Sequence, residues 1–189
     1  LHGIEDVGLQ ALQRVLKHHT HELPRALSLF IGNITAAQAN VRRLDDQPDY
    51  NRVWQPGPTS EHKMMAQVLD EMRRRGVFAS IDLHNNTGHN PHYACVTELR
   101  HPDLHLASLF ARTAVYFQQP TGVQTMAFAP LCPSITCECG KVGDESGYDH
   151  AAQLVETFLL TSSTARIFLL AFGRPAQGAV QSADKLYSS

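Results

Sequence analysis

Leu9, Leu12 and Leu16 recur at helical spacing with Val15 beside them, which predicts a helix over Val7–His18 with one buried stripe. Pro24 interrupts, and residues 26–33 (ALSLFIGN) read as a buried strand closed by a Gly-Asn turn. Residues 40–60 are polar and carry Pro48, Pro56 and Pro58 as breakers, the composition of a structured functional loop. Thr59 or Ser60 can cap a helix reaching about Arg75, with Met64, Met65, Val68, Leu69 and Met72 inward. Gly76 ends it, and Val77–Leu83 is the clearest strand of the chain. A further strand is expected over Tyr93–Thr97 and another over Ser134–Glu138. Helices are expected over Leu104–Phe117, with Leu106, Leu109, Phe110 and Ala114 on one side, and over Glu145–Leu160, packing Ala152, Val155 and Leu159.

Strands alternating with helices of crossover length predict an α/β fold with a mostly parallel or mixed sheet covered on both faces. No internal repeat is present. In open sheets of this kind ligands gather at the carboxyl ends of strands, where His84 stands.

At 189 residues, with 43% hydrophobic content and a formal charge of −2, the chain suits one domain with a sizeable core. No basic patch for nucleic acid and no long charge run occurs, and Ile167–Phe172, the most apolar run, is far too short to span a membrane. Of the 11 histidines, His18, His19, His21, His62, His101 and His105 are scattered and read as surface residues. Three of the four cysteines fall within 132–139 and Cys95 stands apart, which is no disulfide framework and predicts a reducing, cytoplasmic setting. No signal peptide is recognisable. Oligomeric state is not legible.

Four short segments carry chemistry: His2-Gly3-Ile4-Glu5, Asp49-Tyr50-Asn51-Arg52, Asp82-Leu83-His84 and Cys137-Glu138-Cys139-Gly140. Two histidines and a glutamate form the ligand set of many catalytic zinc sites, and His2 and Glu5 are close enough in sequence to share one ion. An H-x-x-E pattern alone is common, and a lone His84 is more often a satisfied histidine at a strand end. Asn51 and Arg52 offer an amide and a guanidinium for a carboxylate. Along a strand Cys137 and Cys139 face one way and Glu138 the other. A lone acid in an otherwise apolar buried strand is costly unless paired or functional, which favours a general base. The cysteines read as compact core residues rather than a second metal site.

The order and content of these segments resemble the zinc carboxypeptidase superfamily, in its succinylglutamate desuccinylase and aspartoacylase branch. The resemblance runs over roughly residues 1–160. It implies a three-layer α/β/α zinc-carboxypeptidase-like fold with a mixed, mostly parallel sheet, forming a single zinc hydrolase domain over 1–189 in which the role of 161–189 is open. Relatives carry strands ahead of the H-G-x-E turn, so further residues are expected before Leu1. The resemblance further implies that His2, Glu5 and His84 bind Zn2+ and that Glu138 is the base. Asp49 would orient His2, with Asp82 as its rival on the strand side of His84. Asn51 and Arg52 would hold the substrate carboxylate. An upstream arginine would polarise the scissile carbonyl; the family pattern favours Arg42, with Arg43 in the next position of the pocket, and both as surface charge is the alternative. Gln47-Pro48 looks like a small insertion. Residues 126–137 contain no arginine, unlike aspartoacylase relatives, and Asn85, Asn86 and Thr87 could also meet substrate.

These readings lead to an expected zinc-dependent amidohydrolase acting on an N-acyl amino acid or similar small carboxylate substrate, with no nucleic-acid or membrane partner. The alternatives are a metallocarboxypeptidase acting on peptides or cell-wall stems, and a non-catalytic zinc-binding relative. The acyl group is not readable from the sequence.

Overall fold

In a computed structural model, the structure describes residues 2–160 and, as backbone only, residues 166–171. The elements in chain order are α1 (Val7–His18), β1 (Leu27–Ile31), α2 (Ile34–Ala39), a 3-10 turn at Tyr50–Arg52, α3 (Ser60–Arg74), β2 (Val77–Asn86) and β3 (Tyr93–Val96). They continue with α4 (His101–Phe110), β4 (Ala114–Tyr116), α5 (Gln124–Phe128), β5 (Ser134–Lys141), α6 (Glu145–Leu160) and β6 (Arg166–Ala171).

The six strands form one sheet in the order β1-β6-β2-β5-β3-β4. Strands β1, β6, β2 and β5 run parallel; β3 turns back antiparallel to β5, and β4 follows β3 in parallel. The sheet is therefore mixed and mostly parallel, with helices on both faces. Strict alternation along β2 and β5 sorts the side chains. Ala79, Ile81, Leu83, Ile135, Cys137 and Cys139 pack with α1, α4 and α6 in the larger core. Ser80, Asp82, His84, Ser134, Thr136 and Glu138 occupy the opposite face. There Gln124 donates to Ser80, and the Thr125 and Thr136 hydroxyls are hydrogen-bonded. A second cluster of Trp54, Met65, Met72, Val77 and Phe128 lies beside them. This polar face of the central strands leads up to the site.

Helices α1 and α6 have the predicted bounds, and all four cysteines are free thiols, three of them buried. Several boundaries differ. The expected helix over Leu104–Phe117 starts at His101 and stops at Phe110, because Ala111 turns extended (φ −148°, ψ 159°). Ala114-Val115-Tyr116 then pair as an edge strand with Ala94–Val96, where a β-branched and an aromatic residue suit the pleat. Leu106 and Phe110 are buried as expected, but Leu109 and the edge-strand Ala114 are exposed. The strand expected over 26–33 is shorter and only half-buried, with Leu29 and Ile31 exposed. Its Asn33 adopts left-handed φ 47° and accepts from the Ala36 amide, starting a six-residue helix, α2, too short to show a helical repeat in the sequence. Part of the unexplained tail forms β6, seated between β1 and β2. Among the described residues no helix is long and apolar enough to cross a membrane.

Candidate active site

The site lies where β2 and β5 end. His84 closes the regular part of β2, and the next residue, Asn85, turns back to cap α1: its Oδ1 accepts from the amides of Asp6 and Val7 at 3.1 and 3.0 Å. That cap ties the His84 strand to the His2–Glu5 turn. The turn is fixed from the other side by Gly3, whose amide donates to the Arg42 carbonyl. A Cβ at Gly3 would lie 2.3 Å from the Ala36 carbonyl carbon, so only glycine lets the turn rest on α2.

His2, Glu5 and His84 are all buried, and one ligating atom from each lies within 4.8 Å of the others. Glu5 sits between the imidazoles, with Oε1 2.6 Å from His2 Nδ1 and Oε2 2.9 Å from His84 Nδ1. The far ring nitrogens face further carboxylates: His2 Nε2 is 3.3 Å from Asp49, and His84 Nε2 is 2.9 Å from Asp82. Asp49 and Asp82 thus do not compete; each faces a different histidine. Asp49 also accepts from the Asn51 amide and from Arg42.

The electrostatics follow from this crowding. Burial alone would raise the Glu5 carboxyl, but the charge on His84 and hydrogen bonds from both histidines hold it well below the usual range. Asp49 is held low in the same way, burial being outweighed by His2, the Asn51 amide and Arg42. Burial would lower His84, yet Asp82 and Glu5 together raise it to about 10. Glu138 is raised, chiefly by burial.

The donor set fits zinc. With Nε2–H of each imidazole directed at its carboxylate, each Nδ1 lone pair points to the side where Glu5 lies, giving two nitrogens and a carboxylate oxygen around one point. Buried Glu5 and Asp82 and half-buried Asp49 contact the two imidazoles, with half-buried Glu138 next to them, a concentration of carboxylates that a divalent cation would offset.

A cleft of about 520 Å³ opens over this cluster. Arg42, Asn51, Arg52 and Glu138 line it, as do Asn85, Asn86 and Thr87. Arg43 does not: its guanidinium donates to the carbonyls of Leu44 and Gln47 and stays in its own loop. Two polar lining residues escaped sequence reasoning, Tyr93 and Lys141, as did the apolar Ile4 and Val142. Tyr93 pairs with Glu138 across the antiparallel β3–β5 ladder, and burial and Glu138 raise its phenol to about 12. That pairing joins two strands far apart in sequence, and no local pattern announces it.

No protein-family model matches the chain, and no curated protein does. Solved structures do. The succinylglutamate desuccinylase of Chromobacterium violaceum matches with TM-score 0.68 and 15% identity, over 87% of this chain and 60% of its own. A succinylglutamate desuccinylase from a Silicibacter species gives 0.63 and 18%, over 92% and 60%. The product-bound ectoine utilization protein EutE (DoeB) of Ruegeria pomeroyi gives 0.61 and 14%, over 93% and 60%. The chain therefore spans about 60% of the length of these structures. The likeness is one of fold: a mixed, mostly parallel sheet with helices on both faces, shared with structures that include two succinylglutamate desuccinylases.

Proposed function

We propose that this chain carries the catalytic domain of a zinc-dependent amidohydrolase that cleaves the amide of an N-acyl amino acid or a similar small carboxylate substrate. The observation that carries the reading is the nearness of a raised carboxyl, Glu138, to the buried His2, Glu5 and His84 cluster, at the mouth of a cleft with cationic walls. A structural cluster has no need of a base beside it.

In this reading His2, Glu5 and His84 hold the ion. Zinc, when bound, supplies Lewis acidity toward a carbonyl oxygen and toward water. Asp49 and Asp82 fix the tautomer and orientation of the two imidazoles. Glu138 takes a proton from the attacking water and passes it to the leaving amine, a task suited to a carboxyl whose pKa burial raises above its ordinary value. Arg42, anchored by one N–H to Asp49, has further N–H groups to stabilise negative charge developing on the carbonyl oxygen. Asn51 and Arg52, on the same short turn, hold the substrate carboxylate.

The test is metal analysis of the purified protein together with hydrolysis of a panel of N-acyl amino acids. One zinc per chain with release of free amino acid is expected. No bound zinc and no hydrolysis after zinc addition would overturn the reading.

A further inference from the structure

Strand β5 loses its regular pairing just after Glu138. His84 pairs with Glu138 and Asn86 with Lys141, so two steps along β2 match three along β5. The extra residue makes a β-bulge, with Gly140 at φ +81°, and it returns Lys141 to the cleft side. A bulge disrupts the ladder locally, and here side chains take up backbone groups around it. Asn85 Nδ2 donates to the Gly140 carbonyl at 3.4 Å. The Gly143 amide donates to the Tyr148 hydroxyl at 2.9 Å.

Both side chains lead to one place. Asn85 Oδ1 accepts from the Asp6 and Val7 amides, and the Tyr148 hydroxyl meets Asp6 Oδ2 at 2.7 Å. A backbone N–H can only donate, so the hydroxyl accepts at Gly143 and its single proton goes to Asp6. Tyr148 is 4% exposed and does not line the cleft. Its neighbour Gly147 shows how closely α6 rests on the strand: a Cβ there would meet the Cys139 carbonyl oxygen at 2.0 Å. The first turn of α6 therefore touches the residue after Glu138 through Gly147, and the residue after Glu5 through Tyr148.

We infer that Tyr148 is a positioning residue: its hydroxyl bridges the turn that carries Glu5 to the bulged end of the strand that carries Glu138, and so sets the metal ligands against the base. The inference rests on the deacylase reading above for the role of Glu138, and adds to it a residue that touches no substrate. A group displaced by about 1 Å can cost about 10²-fold in rate, so a bridge between the two halves of the site has a measurable effect.

Tyr148→Phe keeps the ring and removes both hydrogen bonds. Zinc affinity, read by competition with a chelator, is expected to fall about tenfold, as for groups that act on a metal through its ligands. With zinc saturating, kcat for N-acyl amino acids falls about tenfold or more while KM holds within about twofold. The loss depends on the partner. Tyr148→Phe retains its effect in an Asp6→Asn background, where an amide oxygen still accepts from the phenol, and has little effect in an Asp6→Ala background. Parental zinc affinity in Tyr148→Phe, or an equal effect in the two Asp6 backgrounds, overturns the inference even if the unfolding temperature falls. Weaker zinc binding with the expected background dependence, but no hydrolysis by the zinc-loaded parent, keeps the Tyr148 assignment and removes the amidohydrolase reading.

Discussion

His84 and Glu138 are register partners on adjacent parallel strands, so an imidazole and a carboxylate stand side by side on one face of the sheet. The imidazole points Nδ1 at Glu5 and Nε2 at Asp82, and the carboxylate faces the open cleft. In the proposed reading, metal ligand and base are thus set by a single inter-strand pairing.

The first prediction concerns that carboxylate. Glu138→Gln keeps volume and polarity but removes the proton acceptor. Turnover should fall by about 10²–10⁴-fold. Zinc content, measured by elemental analysis, should match the parent. A glutamine variant as active as the parent would take Glu138 out of the mechanism.

Asp82 and Asp49 each hold one imidazole by its outer nitrogen. Replacing either with asparagine should weaken zinc binding by about 10–100-fold, read by competition with a chromophoric chelator. Parental affinity in both variants would show that the imidazoles need no carboxylate to orient them.

Gly3 is predicted to be intolerant of any side chain. The added Cβ of Gly3→Ala would meet three backbone atoms, those of Ala36, Ala37 and Val41, at 2.3, 2.4 and 2.5 Å, and backbone cannot swing aside. The expected cost is about 1–3 kcal/mol with reduced zinc occupancy, since the turn carries His2 and Glu5. Gly88→Ala, whose Cβ meets nothing nearer than 3.5 Å, serves as the control and should stay within about 0.5 kcal/mol. Thermal unfolding of both variants checks the contrast.

The metal-free protein should respond to pH in a defined direction. His84 is raised from 6.5 to about 10, so its contribution to stability is fully present below about 6.5 and is lost as pH rises through about 10. Glu5 and Asp49 are depressed, so theirs is present above the ordinary carboxylate range and is lost as pH falls below it. Zinc requires His84 without its proton on Nδ1. Zinc uptake at neutral pH should therefore release a proton and tighten as pH rises. Calorimetry in buffers of different ionisation enthalpy measures that proton; uptake without release would contradict the charge assigned to His84.

Arg52→Ala should cost about 1.5–3 kcal/mol in kcat/KM for substrates with a free carboxylate, the worth of a charge-assisted contact. Arg52→Lys should also be poor, because an ammonium lacks the planar fork. Neutral ester or amide analogues should lose much less. Equal losses on charged and neutral substrates would make Arg52 a structural residue.

The convergence of His2, Glu5 and His84 was legible in the sequence because each belongs to a short local pattern: His2 and Glu5 share one turn, and His84 ends the most regular strand. The helices α1 and α6 were legible for the same reason, each carrying apolar residues at helical spacing, although the buried stripe of α1 is Val7, Ala11, Leu12 and Val15, with Leu9 half-buried and Leu16 exposed instead of inward. What depends on strands meeting was not. Lys141 is brought to the cleft by a bulge that alternation does not anticipate, and Tyr93 by an antiparallel pairing between distant segments. Sequence posed Asp49 and Asp82 as rivals, because only packing reveals that the two imidazoles need two separate carboxylates. Arg42 and Arg43 were adjacent and chemically alike; the direction of the loop sends one to Asp49 and the other to its own backbone. The helical spacing seen through Ala114 failed since an edge strand was available beside β3 to accept Val115 and Tyr116.

The account stands on one ion held by His2, Glu5 and His84 next to Glu138. Diffraction from crystals grown with zinc, recorded on both sides of the zinc absorption edge, tests this most directly. The predicted result is a single anomalous peak about 2.0–2.2 Å from His2 Nδ1, His84 Nδ1 and a Glu5 oxygen. A peak elsewhere, or none with the cluster intact, would contradict it.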